Sequence, residues 1–192
     1  RAYHLKAVRK MLLNLNVFVF TLGLTEAWVN RNGGYCYPVV PGAVAGEFNQ
    51  ANHIFINFSI SEIIADMVSV IDSLIAINPQ ARLILTVSPV SLVATAERNN
   101  VAVSSVYSKS VLRVAAEELR KKYEFVDYFP SYEIITNPLS RGRFWAEDRR
   151  NVTAEGVDTV MSIFFKSRMS ELENKFADRE EIINNNFLDT VK

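Results

Sequence analysis

Apolar and polar positions follow two periods along this chain, one typical of helices and one typical of strands. Three short apolar runs predict strands at Val17–Leu22, Leu83–Val87 and Phe125–Phe129, and the first run predicts burial on both faces. Apolar residues recurring every three or four positions predict helices near residues 5–15, 60–77 and 107–122 and after Thr153. This alternation predicts an α/β fold with a parallel sheet covered on both faces.

Local signals mark the ends of several of these elements. Ser59 and Glu62 have the spacing of a capping box at the start of the second helix, and Asn78-Pro79 ends that helix. Thr153 is placed to cap the last helix. The segment from Asn30 to Asn52 reads as a long loop, and long loops beside a rigid strand often carry binding residues.

Composition and charge narrow the classes of function. The 21 Lys and Arg residues balance 21 Asp and Glu residues, which argues against a nucleic-acid or anionic-membrane surface. The longest apolar run, Met11 to Leu24, is too short and too polar to span a bilayer. A single cysteine, Cys36, excludes an internal disulfide and a Cys-rich zinc site. We expect a cytoplasmic protein with no cofactor and no membrane span.

Candidate chemistry depends on the segments that follow the strands. The sequence contains no Gly-x-Ser-x-Gly, P-loop, Gly-x-Gly-x-x-Gly or His-Glu-x-x-His motif. In parallel α/β sheets, the ligand lies beyond the carboxyl ends of the strands. In this chain the segments at those ends are Gly23 to Glu26, Ser88 to Val90 and Pro130 to Glu133.

Five strings resemble the GSCFA domain family, in order and in spacing, over roughly Val17 to Phe165. They are TLGLTEAW from Thr21, Asn78-Pro79, LTVSPV from Leu85, YSKS from Tyr107 and YFPSYE from Tyr128. The family resembles SGNH-type, or GDSL-like, hydrolases. The resemblance implies a flavodoxin-like three-layer α/β/α sandwich. It also implies an ester hydrolase or acyltransferase, with a small-molecule ester or an acylated carbohydrate as substrate.

The mechanism implied by the resemblance uses a Ser that attacks an ester carbonyl, a His that removes its proton and an Asp that orients the His. Gly23, Thr25 and Glu26 stand where the superfamily has its oxyanion block. There, Gly23 and Thr25 would contribute donors and Glu26 would bind or orient. A tight strand exit and a turn cap explain these residues equally well. Ser88 would line the cleft or simply end its strand, and Trp28 would stack on a ligand or pack in the core.

Two departures from the family pattern bear on catalysis. The chain contains no Gly-Ser-Cys-Phe-Ala, and the segment with the nucleophile lies before the matched region. Asp148 stands at the place of the family acid, but Asn151 stands where an Asp-x-x-His motif has its base. Asn does not titrate near neutral pH and cannot act as a general base. The alternatives are an esterase or acyltransferase that is incomplete in this chain, and a catalytically inactive binding or interaction domain that retains the cleft.

The start of the chain carries an expectation about assembly. Arg1-Ala2-Tyr3-His4-Leu5 reads as the middle of a helix without an initiating Met, so we expect an α/β domain over residues 1–170 that is incomplete at its N-terminus. A polar tail would cover residues 171–192. The edge of Val17–Leu22 would then recruit a strand from an upstream segment or from a second copy, which would give a homo-oligomer. The alternative is that the long loop or the tail covers this edge.

Overall fold

The computed structural model describes residues 1–43 and 46–167. The chain forms two compact units, Arg1–Thr136 and Asn137–Lys192. In chain order, the elements of the first unit are α1 (Ala2–Asn14), β1 (Val17–Leu22), β2 (Glu26–Asn30), β3 (His53–Asn57), α2 (Ile60–Ile77), β4 (Arg82–Val87), α3 (Val101–Lys122), β5 (Val126–Tyr128) and α4 (Ser131–Thr136). The expected boundary between residues 170 and 171, and the tail beyond it, lie outside the described residues.

The three predicted strands form one parallel sheet in the order β1-β4-β5. Val17 pairs with Arg82 at one end of the β1–β4 ladder, and Leu83 pairs with Val126 between β4 and β5. Helices flank this sheet, so the predicted α/β sandwich with a parallel sheet is confirmed. The core cluster comes from the three strands and from α2 and α3, and its members are Leu22, Met67, Ile71, Leu83, Leu85, Val87, Leu112, Ala116, Leu119 and Val126.

Strand β1 is less buried than its apolar run predicts, and the prediction of burial on both faces is wrong. Val17 and Val19 are each 48% exposed, whereas Phe18 and Phe20 are half-buried against the core. Exposed and half-buried positions alternate along β1, so one face of this edge strand is left uncovered by the described residues. The central strand β4, which has a neighbour on each side, is buried at every position after Arg82.

Strands β2 and β3 were not predicted and form a separate antiparallel pair. Trp28 lies opposite Phe55 in this ladder, with 5.6 Å between the ring centroids. The long loop between the strands is tied to the pair, because the Arg31 N–H donates to the Asn52 carbonyl and Phe48 packs on Trp28. These contacts tie the loop to its own two strands.

The ends of the long helices follow side-chain caps. The capping box at Ser59 and Glu62 is present as predicted and begins α2. Helix α3 begins at Val101, earlier than the expected Tyr107, because the Asn100 side chain accepts the Ala102 N–H. Among the described helices, none is both long enough and apolar enough for a membrane span.

The second unit begins with a 3-10 turn at Pro138–Ser140 and contains a helix whose described part covers residues 154–167. Thr153 caps this helix as predicted, because its Oγ1 accepts the Gly156 N–H at 3.2 Å. An isolated bridge between Trp145 and Val152 closes the segment that contains Asp148 and Asn151.

Candidate functional site

The loop after β1 is anchored from one side by helix α3. The Nζ atom of Lys109 donates to the Gly23 carbonyl oxygen at 2.7 Å, and the Thr25 N–H donates to the Ser108 Oγ at 2.8 Å. A third bond runs from the Phe58 N–H to the Thr25 carbonyl at 2.9 Å. These bonds fix the backbone of residues 23–25 at the carboxyl end of the parallel sheet.

The same bonds determine which backbone N–H groups of this loop remain available to a ligand. A trans peptide turns its C=O and N–H in opposite directions. Because the Gly23 carbonyl faces Lys109, the Leu24 N–H points away from α3. The N–H groups of Gly23 and Leu24 have no acceptor among the described residues, and both residues are exposed. A Cβ atom on Gly23 would meet nothing within 4 Å, so the space beside this loop is open.

Thr25 is placed differently from the other predicted site residues. It is fully buried, and its hydroxyl donates to the Asn57 Oδ1 at 2.7 Å while its N–H is held by Ser108. Both of its donors are therefore used within the chain. A donor role toward a ligand would require Thr25 to release one of these bonds, whereas its present role is to support the loop.

Lys109 is a site residue that the sequence analysis did not predict individually. Its side chain lies on α3 and the residue is only 3% exposed, which is rare for a lysine. Burial lowers the pKa of Lys109 from 10.5 to about 8. The available signal in the sequence was the string YSKS, in which Ser108 and Lys109 now prove to hold the loop after β1.

A chain of side-chain hydrogen bonds continues from this loop. Asn57, which accepts from Thr25, donates through Nδ2 to the Glu97 Oε1 at 2.8 Å. The Glu97 N–H donates to the Thr95 Oγ1 at 3.0 Å, and that hydroxyl donates to the Glu26 Oε1 at 2.7 Å. Two carboxylates, Glu26 and Glu97, are thus connected through Thr95 in the segment after β4.

Two clefts border the segment of residues 92–97. The first has a volume of about 410 Å³ and a mostly apolar lining, which consists of Leu24, Glu26, Ala27, Trp28, Tyr37, Pro38, Val39, Val40, Phe55, Leu92, Ala94, Thr95 and Ala96. The second has a volume of about 320 Å³ and is lined by Asn57, Glu97, Asn99, Val103, Ser104 and Tyr107. Trp28 therefore lies at a cleft while also packing on Phe48 and Phe55.

Ser88 lies in the turn that ends β4. Its N–H donates to the Leu22 carbonyl at 2.9 Å, and its Oγ accepts the Val90 N–H at 3.2 Å. The bond to Leu22 places Ser88 beside the end of β1, next to Gly23. Gly23, Thr25, Glu26 and Ser88 are thus all found at or just beyond the carboxyl ends of β1 and β4.

Asp148 and Asn151 lie in the second unit, where they form a tight turn. The Asp148 carboxylate accepts the N–H of Arg150 at 3.0 Å and the N–H of Asn151 at 2.9 Å, and also accepts the Asn151 side-chain amide. These bonds lower the pKa of Asp148, and the bond from the Asn151 N–H contributes most to this shift. Asp148 is therefore a carboxylate that holds the side chain three positions later.

Other candidate acids have structural partners. The Glu133 carboxylate accepts hydrogen bonds from the Arg113 Nε at 2.8 Å and from the Tyr128 hydroxyl at 2.9 Å. It therefore belongs to a cluster that includes an ion pair. Within residues 1–43 and 46–167, no group of three or more His, Cys, Asp or Glu side chains is placed to hold a metal ion.

Comparison with known proteins identifies a family for this chain. The model of the GSCFA family matches residues 1–164. No curated protein and no solved structure matches the chain significantly. The matched range includes the loop after β1, Lys109 and the Asp148–Asn151 turn.

Proposed function

Because this chain belongs to the GSCFA family, we propose that it is an ester hydrolase or acyltransferase domain of SGNH type. The observation that carries this proposal is the bond between the Asp148 carboxylate and the Asn151 side chain. An Asp-x-x-His pair works only if the carboxylate holds the residue three positions later, since the acid orients the base and stabilises its cation. The turn at Asp148, in which the carboxylate accepts the Asn151 side-chain amide, supports this proposal.

The loop after β1 supports the same proposal from the first unit. As a nucleophile attacks an ester, negative charge develops on the carbonyl oxygen, and preorganised N–H groups stabilise it. The N–H groups of Gly23 and Leu24 are candidates, because they are exposed and have no acceptor among the described residues. Lys109 and Ser108 hold the loop from behind, so the N–H groups would not have to reorganise when the charge forms.

The apolar cleft suggests where the substrate would lie. Leu24 and Leu92 line it together with Trp28, and Leu24 belongs to the loop that would carry the oxyanion donors. An acyl group lying on this lining would bring its carbonyl toward the Leu24 N–H. The proposed substrate is a carboxylate ester of a small molecule or of a carbohydrate.

The experiment that tests the proposal restores a base to the turn. Because the sequence contains no Gly-Ser nucleophile, the restored histidine would act by taking a proton from an attacking water. We expect Asn151→His to hydrolyse p-nitrophenyl acetate about tenfold or more faster than the unchanged chain, since a positioned base contributes at least that much. The matched control is the double variant Asp148→Asn with Asn151→His, which keeps the imidazole and removes the acid. Equal rates for the single and double variants would contradict the proposal, because an unoriented surface histidine would explain both.

A second candidate function is a binding domain that has lost the chemistry. Asn151 favours it, because an amide cannot take a proton from a nucleophile near neutral pH. This candidate predicts that the unchanged chain binds an ester substrate without turnover. Binding that persists while Asn151→His brings no gain in rate would favour it over the first.

We also propose self-association through the free edge of β1. Within the described sheet, β1 is paired on one side only, and Val17 and Val19 leave apolar surface beside that edge. An unpaired strand edge is a template for another strand. A second copy of the chain offers an identical edge, so a closed two-fold dimer would cover both edges.

A further inference from the structure

Helix α1 packs only partly against the rest of the first unit. None of its residues is buried, and Tyr3, Leu5, Met11 and Leu13 are each at least 45% exposed. A helix of 13 residues has marginal stability in water unless one of its faces packs against another surface. The described residues supply part of that packing, so α1 is a candidate for contact with a partner.

The positive charges of α1 lie on one exposed face. Lys6, Arg9, Lys10 and Leu13 have the i, i+3, i+4, i+7 spacing of a single helix face, and all four are exposed. The helix contains no acidic residue. None of the ion pairs among the described residues uses these three cations. We call the four residues the basic stripe, and it fits a partner with negative charge and an apolar position for Leu13.

Helix α2 carries the complementary charge on an exposed face of its own. Glu62, Asp66, Val70 and Ile77 recur at i, i+4, i+8 and i+15, which places them on one side of the helix, and we call them the acidic stripe. The helix contains no Lys or Arg. Val70 and Ile77 border a groove of about 270 Å³ between α1, β1 and α2. The acidic stripe thus runs from two carboxylates into an apolar groove.

The two helices run in the same direction. Each of them leads into one of the two parallel neighbours β1 and β4. Their carboxyl ends are joined, because the Asn78 Nδ2 donates to the Leu12 carbonyl at 3.0 Å and to the Leu15 carbonyl at 2.9 Å. A two-fold axis parallel to the helices would therefore set α1 of each copy beside α2 of the other copy, with all four helices parallel.

We propose that two copies of this chain associate through such a two-fold contact between their α1 and α2 faces. The partner's Leu13 lies beside Val70 at the groove, and the basic stripe of each copy lies along the acidic stripe of the other. The contact is isologous, so every pair of residues in it occurs twice.

The spacing of the charges fits this alignment. With a rise of about 1.5 Å per residue, Lys10 and Lys6 lie about 4.5 and 10.5 Å from Leu13 toward the amino end of α1. Asp66 and Glu62 lie about 6 and 12 Å from Val70 toward the amino end of α2. Each lysine therefore meets a carboxylate of the other copy at nearly the same level. Asp66 has no partner among the described residues, and Glu62 uses only its Oε2 in the capping box.

A second copy fits this surface better than an anionic partner does. A nucleic acid or an anionic membrane that met the cations of α1 would be repelled by Glu62 and Asp66 on the neighbouring helix. A second copy presents both charges in the reverse order. The proposal goes beyond the proposed function, because no step of ester chemistry depends on it. It is also independent of the edge of β1, because it uses no backbone group of that strand.

The first test reverses one charge at a time at low ionic strength. All chains carry Val19→Lys, so that pairing at the edge of β1 does not contribute. Lys10→Glu sets two acids against each other across the contact, and Asp66→Lys sets two lysines against each other. Because each pair occurs twice, we expect either change to raise the dissociation constant of the dimer about tenfold or more in sedimentation equilibrium. Arg98→Glu, at an exposed position outside both helices, is the matched control and should leave it unchanged.

The second test mixes the two charge variants. In a mixed dimer, the reversed residue of one copy faces the reversed residue of the other, and the second contact keeps the original pair. Both contacts are then attractive again. We expect an equimolar mixture to associate within about threefold of the parent chain, whereas each variant alone stays weak. A mixture that associates no more tightly than its components would overturn the proposal.

Two other results would also overturn it. One is a parent chain that stays monomeric at all concentrations, which would leave the edge of β1 as the contact if the chain with Val19 intact still associates. The other is binding to phosphatidylserine vesicles that Lys10→Glu abolishes and Asp66→Lys strengthens, together with dissociation constants that neither change affects. That result would assign α1 to an anionic membrane surface.

Discussion

The Nζ atom of Lys109 lies 2.7 Å from the carbonyl oxygen of Gly23, so a residue in the first half of α3 sets the backbone direction at the end of β1. A buried lysine is costly, because burial disfavours its charged form. The hydrogen bond to the Gly23 carbonyl offsets part of that free-energy cost, because it gives the ammonium group an acceptor. Lys109 is thus a positioning residue for the loop that offers the Gly23 and Leu24 N–H groups.

The lowered pKa of Lys109 predicts a pH dependence of stability. Between pH 8 and 10.5 the unfolded lysine stays protonated while the folded one loses its proton, so the free energy of unfolding should rise with pH. Across this range the free energy of unfolding of the unchanged chain should rise, relative to that of Lys109→Met, by up to about 3 kcal/mol. Urea unfolding across this pH range measures it. Lys121→Met, whose lysine is exposed on the same helix, should keep the rise, and a Lys109→Met curve parallel to the unchanged chain would contradict the assignment.

Ser108→Ala should destabilise the first unit. The change removes the acceptor of the buried Thr25 N–H, and a buried donor left without a partner costs about 1–3 kcal/mol. Ser110→Ala is the matched control, because this serine is exposed on the same helix and the gain in helix propensity is the same. Thermal or urea unfolding of the two variants measures the difference. Equal stabilities would show that the Thr25 N–H finds another acceptor.

The turn at Asp148 predicts the titration of a histidine placed at position 151. In Asn151→His the neighbouring carboxylate favours the imidazolium, so the imidazole pKa should lie above its ordinary value of about 6.5. The reference is the double variant that also carries Asp148→Asn. NMR titration of the ring protons measures both pKa values. A pKa that does not fall when Asp148 is neutralised would mean that the carboxylate does not face the ring.

Val19→Lys should reduce self-association if the edge of β1 is the contact between copies. A lysine on an edge strand opposes pairing with another strand, and Val19 is 48% exposed. Val114→Lys offers a control, since this valine is equally exposed but lies on α3. Light scattering over a range of concentrations reports the mass. Monomers at all concentrations in the unchanged chain would rule out the proposed contact.

Short sequence patterns predicted those elements of the fold that are determined by neighbouring residues in the chain. The capping box at Ser59 and Glu62 and the apolar stripe after it predicted α2, and three apolar runs predicted the parallel strands. The pair of β2 and β3 was missed, because the two short strands are separated by a long loop and their pairing is not encoded nearby. The burial of β1 was overestimated, since an apolar run does not reveal whether both faces of its strand are covered.

The candidate site was predictable only in outline. The rule about strand ends pointed to Gly23, Thr25, Glu26 and Ser88, and the structure places all four there. The supports come from segments far along the chain, such as Asn57 and Lys109, and composition gives no reason to expect a lysine to be buried. The Ser104 hydroxyl on α3 is buried without a hydrogen-bond partner among the described residues, which is a consequence of packing that the sequence does not reveal.

The parallel pairing of β1 with β4 also has a consequence for the order of events during synthesis. Val17 pairs with Arg82, so the apolar residues of β1 leave the ribosome well before their partner strand exists. At about 5–20 residues per second, several seconds separate the two strands. During that interval Val17 to Phe20 lack the strand β4 that pairs with them in the folded chain, and chaperone binding at this segment is the expected protection against aggregation.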